Sequence, residues 1–401
     1  MKIILLTHPV TLNSKSMPLF SQMIFNGMRQ RGHEVIAWTS PALLSNLSLN
    51  PTLKKWLNYF DQFVIFQLII FFRLLKESNN TLFIFSDQAL CMWMLFIQNR
   101  PNIIHVHDFL ALRSAKGEFN QNRIRFFGRI YQYLIIQGLK RGNYFISVSK
   151  NTNNYLNFLL NRGNSYSKVI YNGLNNKFFQ MSTLEIQNHL NFLNLNLRPR
   201  NFILHVGGNQ WYKNRLGVVD IYLEYYNNNP SALPLVMVGE KPNQALFEKA
   251  NSLVEKKAII FLVDINQNQL CSLYSSAELL LFPSISEGFG WPIIEAMSCG
   301  CLVLTTEDAP MTEVGGDVAY YIKPIKNNDY SYWSKNSAEY MSSILNQSLE
   351  YKTHKRELGF LWAKNFNAES TLNNYENFYK FVFDNSINSN KNICSSNKLD
   401  S

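Results

Sequence analysis

The sequence has few charged residues and few cysteines, and each shortage excludes a class of protein. Of its 401 residues only 16% are charged, whereas 46% are hydrophobic and 14% are aromatic, which excludes a disordered or fibrous chain. The five cysteines form no C-x-x-C pair, which argues against a disulfide framework and against a zinc site. This cysteine usage fits a reducing cytoplasm, and the length favours two domains of ~100–200 residues each.

Long apolar runs are also missing. The amino terminus turns polar at Thr7, before it reaches the roughly 7 to 15 apolar residues of a signal-peptide core. The best candidate for a membrane span, 63–72, is interrupted by Gln67 and followed by Arg73, whereas a spanning helix needs ~20 apolar residues. We therefore expect a chain that is not exported by a signal peptide and does not cross a bilayer alone.

Acidic residues are scarce in the first half of the chain. Residues 1–195 contain 20 Lys and Arg against 7 Asp and Glu, whereas residues 196–401 contain 18 against 21. A one-sided positive field attracts phosphate groups. Contact with an anionic membrane is the favoured interpretation and a solvated basic face is the second. Nucleic acid comes last, and we predict no nucleic-acid partner.

Short apolar runs alternate with helical stretches, and the pattern occurs twice. In the first half, strands are predicted at 1–7, 32–38, 81–85, 102–107, 144–148 and 168–171. In the second half, they are predicted at 202–206, 235–238, 258–263, 279–282 and 302–305. This alternation is typical of doubly wound parallel sheets. The sequence predicts an α/β protein with Rossmann-like domains at 1–195 and 196–366, and an Asn-, Ser- and Lys-rich disordered tail at 386–401.

The segment 283–300 carries the most informative motif. It follows a predicted strand and opens a helix, and ligands of open α/β sheets bind at the carboxyl ends of strands. Gly288 and Gly290 allow backbone amides to approach a phosphate, and the helix N-terminus beyond them favours negative charge. Glu287 and Glu295 are therefore two carboxylates that can face one ligand from different depths.

Taken singly, Glu287 and Glu295 are each compatible with a solvated surface charge. Together, as E-G-F-G-x-P-x-x-E-A-M-x-x-G, they resemble the E-x7-E signature of retaining family 4 glycosyltransferases of the GT-B fold. This resemblance implies two Rossmann-like domains facing a central cleft, with the acceptor over the first domain and the donor on the second. It also implies a helix at 367–385 that crosses back to the first domain.

The resemblance also implies a role for each residue of this motif. Glu295 binds the ribose hydroxyls of a nucleotide-sugar donor, because an ionised carboxylate only accepts hydrogen bonds. Glu287 lies against the donor sugar and supports the positive charge that develops at the anomeric carbon. The amides of Gly288, Phe289 and Gly290 complete the donor site.

A second motif opens the second half of the chain, where Gly207 ends a predicted strand. The segment resembles the family's strand-loop-helix element, in which a basic residue before the helix binds the donor diphosphate, and Lys213 takes that place. Where many family members have Arg, this chain has Gly208, and Arg215 is the candidate replacement. Gly239 resembles the glycine turn near the nucleotide. The alternatives are a Lys213 that caps a solvated helix and ordinary turn glycines.

A third motif, H-x-H-D, ends a predicted strand of the first half. A lone histidine at a strand end is more often structural than catalytic, and we assign that role to His105. By the family resemblance His107 lies near the donor sugar, and Asp108 orients its imidazole or receives an acceptor hydroxyl. A turn ending at Asn175 resembles the family's N-G-x-D turn, whereas the loop 8–18 lacks the glycine pair that relatives often have.

No D-x-D occurs in the chain, so the usual carboxylate pair for a metal-bound sugar diphosphate is absent. We expect a retaining, metal-independent hexosyltransferase with no cofactor. Its donor is a nucleotide-diphosphate sugar, and its acceptor is a glycan or lipid-linked glycan of surface polysaccharide or lipopolysaccharide assembly. The alternatives are a sugar-nucleotide epimerase of the same fold and a non-catalytic, basic membrane-binding module.

The helix predicted around 63–72 leaves two interpretations open. It is apolar on nearly every face, so it is either the core helix of the first domain or sunk into a lipid interface. Basic residues nearby favour an anionic membrane, since each supplies ~1 kcal/mol close to the surface. They are Arg113, Lys116, Arg123, Arg125 and Arg129. We therefore expect a cytoplasmic protein, peripheral on the inner face of the cell membrane.

Overall fold

The computed structural model describes residues 1–9, 16–161, 166–174, 178–193, 197–325 and 329–396. The chain forms two compact units. Unit 1 comprises Met1–Tyr171 and Glu369–Ser401, and unit 2 comprises Asn172–Ala368. Each unit is an α/β fold on a parallel sheet of six strands.

Unit 1 alternates strands with helices from its first residues. Its strands are β1 (Lys2–Leu6), β2 (Glu34–Trp38), β3 (Leu82–Phe85), β4 (Asn102–Val106), β5 (Tyr144–Ser147) and β6 (Ser167–Val169). Its α-helices include α1 (Ser16–Gln30), α2 (Pro51–Phe60), α3 (Phe66–Leu74), α4 (Leu110–Ala115), α5 (Phe126–Leu139) and α6 (Lys150–Leu160). The 3₁₀ helices Ser45–Leu47 and Gln88–Phe96 and the π-helical turn Asp61–Ile65 complete this part of the unit.

The sheet of unit 1 has the order β2-β1-β3-β4-β5-β6, and its neighbouring strands are parallel. Both faces of the sheet are covered. Ile3 and Leu5 belong to a buried cluster that includes α1, whereas Ile4 and Leu6 belong to a second cluster that includes α3. Strands buried on both faces are continuous apolar runs, which is why the sequence predicted them so well.

Unit 2 repeats the pattern. Its strands are β7 (Ile203–Val206), β8 (Leu235–Val238), β9 (Ile259–Leu262), β10 (Leu279–Phe282), β11 (Leu302–Thr306) and β12 (Tyr320–Ile322). Its α-helices are α7 (Thr183–Phe192), α8 (Arg215–Asn228), α9 (Gln244–Glu255), α10 (Gln267–Ser276), α11 (Trp291–Ser298), α12 (Met311–Gly315), α13 (Tyr330–Leu345) and α14 (Leu349–Ala363). Two 3₁₀ helices are Trp211–Lys213 and Lys364–Phe366.

The sheet of unit 2 has the order β12-β11-β10-β7-β8-β9. The chain therefore extends the sheet in one direction from β7 and in the other direction from β10. Neighbours β7 and β10 form the point where the strand order reverses, and parallel sheets bind ligands at the carboxyl ends of the strands at such a point.

The last helix, α15 (Ala368–Ser396), returns the chain to unit 1. Four of its residues are buried in the cluster that contains β1 and α1: Leu372, Tyr375, Tyr379 and Val382. Residues 386–396, part of the tail predicted to be disordered at 386–401, form the end of α15. Residues 397–401 lie outside the described residues.

The division between the units also differs from the predicted boundary at 195. Unit 2 begins at Asn172, so α7, which precedes the predicted boundary, belongs to unit 2. The backbone amide of Met181, just before α7, donates a 3.1 Å hydrogen bond to Ser275 Oγ of α10. The apolar residues Ile186 and Leu190 of α7 are buried, so the segment is part of the core of unit 2.

One helical stretch within the described residues, Pro51–Leu74, is long and apolar enough by length and composition to span a membrane. Its 24 residues exceed the predicted run, because the π-helical turn joins α2 and α3 without a break. The expectation that this segment is too short is therefore wrong. One face, with Phe66, Ile70 and Leu74, packs into unit 1, whereas the opposite face is exposed.

Candidate functional site

The predicted donor residues of unit 2 follow its central strands. Lys213 lies in the loop after β7, Gly239 directly follows β8, and Glu287 lies in the loop after β10. Since β10, β7 and β8 are neighbours and parallel, these three loops emerge at the same edge of the sheet. The strand order reverses between β10 and β7, so the site lies where open α/β sheets bind their ligands.

An ion pair joins the loops on either side of this reversal. Lys213 Nζ lies 2.7 Å from Glu287 Oε1, and the side chains are only 16% and 8% exposed. Ser284 Oγ donates a second hydrogen bond, 2.8 Å long, to the same carboxylate oxygen. A buried carboxylate needs such partners, and together they fix its position at the end of β10.

Backbone contacts hold the same two loops together. Ile285 N donates to Tyr212 O over 2.8 Å, and Asn214 Nδ2 donates to Pro283 O over 3.0 Å. Asn214 has a left-handed conformation with φ of 53° and precedes α8 directly. Asparagine tolerates this conformation better than most residues, so it can both turn the chain and reach the neighbouring loop.

Glu295 is the fifth residue of α11, and its carboxylate accepts a 2.9 Å hydrogen bond from Tyr274 of α10. Burial raises the pKa of Glu295 to about 7, although the Tyr274 hydrogen bond and the charge of Lys213 lower it. The electrostatic effect of Lys213 on this carboxyl indicates that one ammonium group acts on both glutamates. Glu295 therefore changes its charge near neutral pH.

The glycines after β7 and β8 allow two backbones to touch. Gly239 has φ of 152°, and a Cβ atom on it would lie 2.0 Å from the carbonyl oxygen of Gly207. Gly207 N in turn donates to Val238 O. A Cβ on Gly208 would meet the side chains of Gln210 and Glu240, which are flexible. Of these glycines, Gly239 is the position where a side chain is excluded by backbone.

Arg215, the first residue of α8, is 5% exposed and connects two strand-end loops. Its NH1 donates to Asn209 Oδ1 over 2.6 Å and to Glu240 O over 2.9 Å. Burial lowers the pKa of its guanidinium, and the charge of Glu240 opposes that shift. The geometry gives Arg215 a role in holding the loops after β7 and β8.

The three residues before α11 differ in what they offer a ligand. Gly290 is the N-cap of α11 with φ of 105°, a conformation that favours glycine. The Phe289 side chain is buried and packs its ring against Trp291 and Phe366. Gly288, between this anchor and Glu287, is half-buried. The packed phenylalanine thus fixes the path of the backbone that leads to the helix N-terminus.

In unit 1 the H-x-H-D residues have different environments. His105 is fully buried, and its Nε2 lies 2.7 Å from Tyr379 Oη, so it belongs to the core as expected. His107 Nε2 lies 2.9 Å from the carbonyl of Ser86. Asp108 Oδ1 accepts from Leu110 N, which starts α4. This hydrogen bond connects Asp108, in the loop after β4, to the start of α4.

Two residues of the unit 2 site were not predicted, Ser284 and Tyr274. Ser284 stands three residues before Glu287 in the same loop, so its position was a usable signal. Tyr274 lies on a different helix, and no local pattern connects it to Glu295. Among the described residues no group of three or more His, Cys, Asp and Glu is placed to hold a metal ion. Asn175 and residues 10–15 of the first loop lie outside the described residues.

Residues 188–331 match the family model described as "Glycosyl transferases group 1". The O-antigen chain mannosyltransferase B of Escherichia coli is 26% identical over 186 residues, which cover 45% of this chain and 46% of the relative. The O-antigen chain mannosyltransferase RfbU of Salmonella typhimurium is 26% identical over 220 residues, which cover 53% and 56%. The chain thus spans about half the length of the curated relatives it matches.

Solved structures match nearly the whole chain. Anabaena Alr3699/HepE, solved with UDP and glucose, has a TM-score of 0.71 at 15% identity and covers 95% of this chain and 99% of its own. WaaG, a glycosyltransferase involved in lipopolysaccharide biosynthesis, has a TM-score of 0.69 at 14% identity with the same coverage. The chain therefore has the GT-B fold of two Rossmann-like units, and residues 188–331 are the part that is similar to glycosyl transferases group 1.

Proposed function

We propose that this protein is a retaining glycosyltransferase that takes a hexosyl unit, with mannose as the first candidate, from a nucleotide-diphosphate sugar. Its acceptor is a growing glycan or lipid-linked glycan of a surface polysaccharide or lipopolysaccharide. One observation carries the proposal: Lys213, Glu287 and Glu295 lie at the strand-order reversal of a domain that matches glycosyl transferases. The names of the curated relatives support mannose and O-antigen-type assembly.

In the proposed complex each polar group has a separate task. Glu295 accepts hydrogen bonds from the ribose hydroxyls, and Lys213 turns from Glu287 toward the donor diphosphate. Glu287 then faces the sugar, where its negative charge stabilises the positive charge that develops at the anomeric carbon. The backbone from Gly288 to Gly290 and the N-terminus of α11 face the phosphates.

The remaining predicted residues would act on the donor and on the acceptor side. Gly207, Gly208 and Gly239 let the backbone approach the nucleotide, and Arg215 keeps their loops in place. In unit 1, His107 would contact the donor sugar and Asp108 would keep its loop in place on the acceptor side. In the transfer the bond between the anomeric carbon and the diphosphate oxygen breaks, and the nucleoside diphosphate keeps the electron pair. The acceptor hydroxyl oxygen bonds to the same face of that carbon and gives its proton to the departing diphosphate.

The test separates binding from chemistry. Thermal stabilisation by a panel of nucleoside diphosphates and their sugars, mannose included, identifies the donor, because binding to the native state raises its stability. We expect Glu295→Ala to lose that stabilisation, and Glu287→Gln to keep it while its kcat falls. The loss of donor affinity in the first variant and of kcat in the second should each be several-fold to a hundredfold, since a charge-assisted hydrogen bond contributes ~1.5–3 kcal/mol. Glu339→Ala, an exposed glutamate of α13, is the matched control.

The donor-panel experiment also separates the rivals. Wild-type donor affinity and kcat in both glutamate variants would contradict the assignment. Recovery of an epimerised nucleotide sugar without transfer would favour the epimerase. A protein that no nucleotide stabilises would favour the non-catalytic module.

Two finer properties are part of the proposal. Because Lys213 and the α11 N-terminus supply positive charge and the sequence has no D-x-D, we expect transfer to continue in excess EDTA. We expect NMR of the product to show the donor's anomeric configuration. A rate that falls on chelation and returns with Mg²⁺ or Mn²⁺ would contradict metal independence, and an inverted linkage would contradict retention.

We further propose that unit 1 docks as a peripheral domain on an anionic membrane surface, in the cytoplasm and on the inner face of the cell membrane. The exposed face of Pro51–Leu74 and the next residue carries apolar side chains at helical spacing, each 41–71% exposed, which we name the apolar stripe. Its members are Leu53, Trp56, Phe60, Val64, Leu68, Phe71, Phe72 and Leu75. Exposed apolar surface of this extent on one helix favours an interface.

The apolar stripe contacts a second helix, α5, whose start carries positively charged residues. The rings of Trp56 and Phe127 lie 5.2 Å apart, and Phe127 belongs to the exposed start of α5. Arg123, Arg125 and Arg129 are exposed at the same helix start. Unit 1 as a whole contains 22 Lys and Arg against 10 Asp and Glu, whereas unit 2 contains 16 against 18. Apolar side chains beside a positive surface complement anionic lipid.

A further inference from the structure

The strand order of unit 1 also reverses at one point. The chain extends the sheet from β1 to β2 in one direction and from β3 to β6 in the other, so the reversal lies between the neighbours β1 and β3. The carboxyl ends of these strands are the expected ligand-binding position of the unit. His8 follows β1 by two residues, and Asp87 follows β3 by two residues.

These two side chains contact each other across the reversal. His8 Nε2 lies 2.9 Å from Asp87 Oδ2, although the residues are 79 positions apart in sequence. Asp87 Oδ1 accepts from Ala89 N over 2.8 Å, and Thr39 Oγ1 donates to the His8 carbonyl over 3.1 Å. The side chains are 13% and 11% exposed, so the pair is rigidly held yet reaches the surface.

The charge of Asp87 determines which ring nitrogen remains for a ligand. Burial alone raises the pKa of Asp87, but the hydrogen bond from His8 and the charges of His8 and His107 lower it by more. The ionised carboxylate only accepts hydrogen bonds, so Nε2 is the donor to Asp87 and Nδ1 is the ring nitrogen that remains for a ligand. Within the described part of the chain, His8 Nδ1 has no hydrogen-bond partner.

A second histidine–carboxylate pair in the same unit shows what a structural pair looks like. His33 Nε2 lies 2.9 Å from Glu376 Oε1 of α15, just before the amino end of β2. Glu376 also contacts Arg31 and Lys380. This pair fastens α15 to the sheet at the edge where parallel sheets do not bind ligands, whereas the His8–Asp87 pair lies at the opposite edge.

We propose that the His8–Asp87 pair binds the acceptor, with His8 Nδ1 hydrogen-bonded to a hydroxyl of the acceptor carbohydrate. Asp87 is a positioning residue that fixes the orientation of the ring. The inference deepens the proposed function and rests on it, because a carbohydrate acceptor is needed only if the protein transfers sugars. A hydroxyl-rich ligand suits the site, since a hydroxyl both donates and accepts and can bond to the ring nitrogen without a charge on the ligand.

The test compares donor and acceptor constants in the full chain. We expect His8→Ala to raise the acceptor KM about tenfold, the effect of one hydrogen bond of ~1.4 kcal/mol, while the donor Kd stays unchanged. Asp87→Asn should raise the acceptor KM less, because an amide oxygen can still accept from Nε2. His33→Ala, the matched control, should lower the melting temperature and leave the acceptor KM unchanged.

A second readout does not depend on turnover. With ¹⁵N-labelled histidine, addition of a mannose disaccharide should shift the His8 ring signals of the wild-type protein and leave those of His33 in place. His8→Gln provides a polar variant if the alanine variant does not fold. The inference is overturned if the wild-type ring signals do not move, or if the acceptor KM of the His8 variants stays within twofold of wild type. Failure of every nucleotide sugar to bind would instead contradict the proposed function.

Discussion

At the scale of single residues, the most informative group is the Glu295 carboxyl. Burial raises its pKa to about 7, although the Tyr274 hydrogen bond and the Lys213 charge both lower it. The folded protein therefore holds a proton that the unfolded chain loses near the usual value of 4.5. Stability should fall as pH rises from that value to about 7 and then level off, because the folded state binds more protons in this window.

The same carboxyl predicts a pH dependence of donor binding. If ionised Glu295 accepts the ribose hydroxyls, donor affinity should rise as the pH passes through about 7. Tyr274→Phe removes a hydrogen bond that lowers this pKa, so the midpoint should move to higher pH. Calorimetric titration of the donor between pH 5.5 and 9, in roughly half-unit steps, measures it. Tyr320→Phe, a tyrosine bonded to Gln347 elsewhere in unit 2, should leave the midpoint unchanged.

A midpoint that is the same in wild type and Tyr274→Phe would contradict this account. A donor affinity independent of pH would show that the ribose does not depend on the charge of Glu295. Removal of the stability slope in Glu295→Gln would assign that slope to the same carboxyl.

At the scale of elements, the ends of β7 and β8 are in close backbone contact at the proposed donor site. We expect Gly239→Ala to destabilise unit 2 by about 1–3 kcal/mol, because the new methyl would meet the Gly207 carbonyl at 2.0 Å and φ is 152°. Thermal unfolding measures the change, several degrees in Tm. Gly359→Ala is the matched control, since its Cβ would have contacts no shorter than 3.5 Å within α14.

The control should be neutral or stabilising, because alanine is favoured over glycine in a helix by up to about 1 kcal/mol. Equal Tm values for Gly239→Ala and wild type would mean that the two turns can separate without cost. Donor affinity of Gly239→Ala is a second measurement. It should fall, because the added methyl group would push apart the turns at Gly207 and Gly239.

Elements were predictable where their signal was local. All eleven predicted strands are confirmed within two residues at each end. Most of them are continuous apolar runs because both of their faces are buried, whereas β2 and β6 are partly exposed. The three-residue strand β12 was too short to give such a signal. The helix Pro51–Leu74 was underestimated because polar Asp61 and Gln62 lie inside it. Both Asp61 oxygens accept backbone hydrogen bonds, from Leu44 and Ser45, so the polar residue is buried without ending the helix.

The residues of the candidate sites were likewise predictable only where their signal was local. Glu287, Lys213 and Glu295 could be predicted to converge, since each follows or lies near the carboxyl end of a strand within a local motif. Tyr274 and the His8–Asp87 pair could not, because their contacts join residues distant in sequence. Only the strand order β2-β1-β3 brings His8 and Asp87 together, and strand order is not encoded in any single segment.

At the scale of the whole molecule, the uneven charge of the two units predicts binding to anionic membranes through unit 1. It should float with vesicles rich in anionic lipid, and high salt should release it because salt screens exposed charges. The test variant reverses three exposed residues to Glu: Arg123, Arg125 and Arg129. The control variant reverses three exposed lysines of unit 2: Lys256, Lys257 and Lys335. We expect the first to lose binding and the second to keep it.

The apolar stripe adds a second comparison to the same assay. Leu68→Asp places a charge on the stripe, whereas Leu361→Asp places one on α14 at a leucine of similar exposure, 57% against 53%. Only the stripe variant should lose binding to anionic vesicles. Failure of the wild-type protein to float with either neutral or anionic vesicles would leave a soluble enzyme with a soluble acceptor.

The return of α15 to unit 1 has a consequence for synthesis on the ribosome. The two parts of unit 1 are separated by the 197 residues of unit 2, Asn172–Ala368. At ~5–20 residues per second, translation of that insert takes on the order of ten to forty seconds, and unit 2 is complete before α15 emerges. During this interval the surface of β1 and α1 that will bury Tyr375 and Tyr379 remains uncovered. The unit made first is thus finished last, and in the interval its apolar surface is open to chaperones.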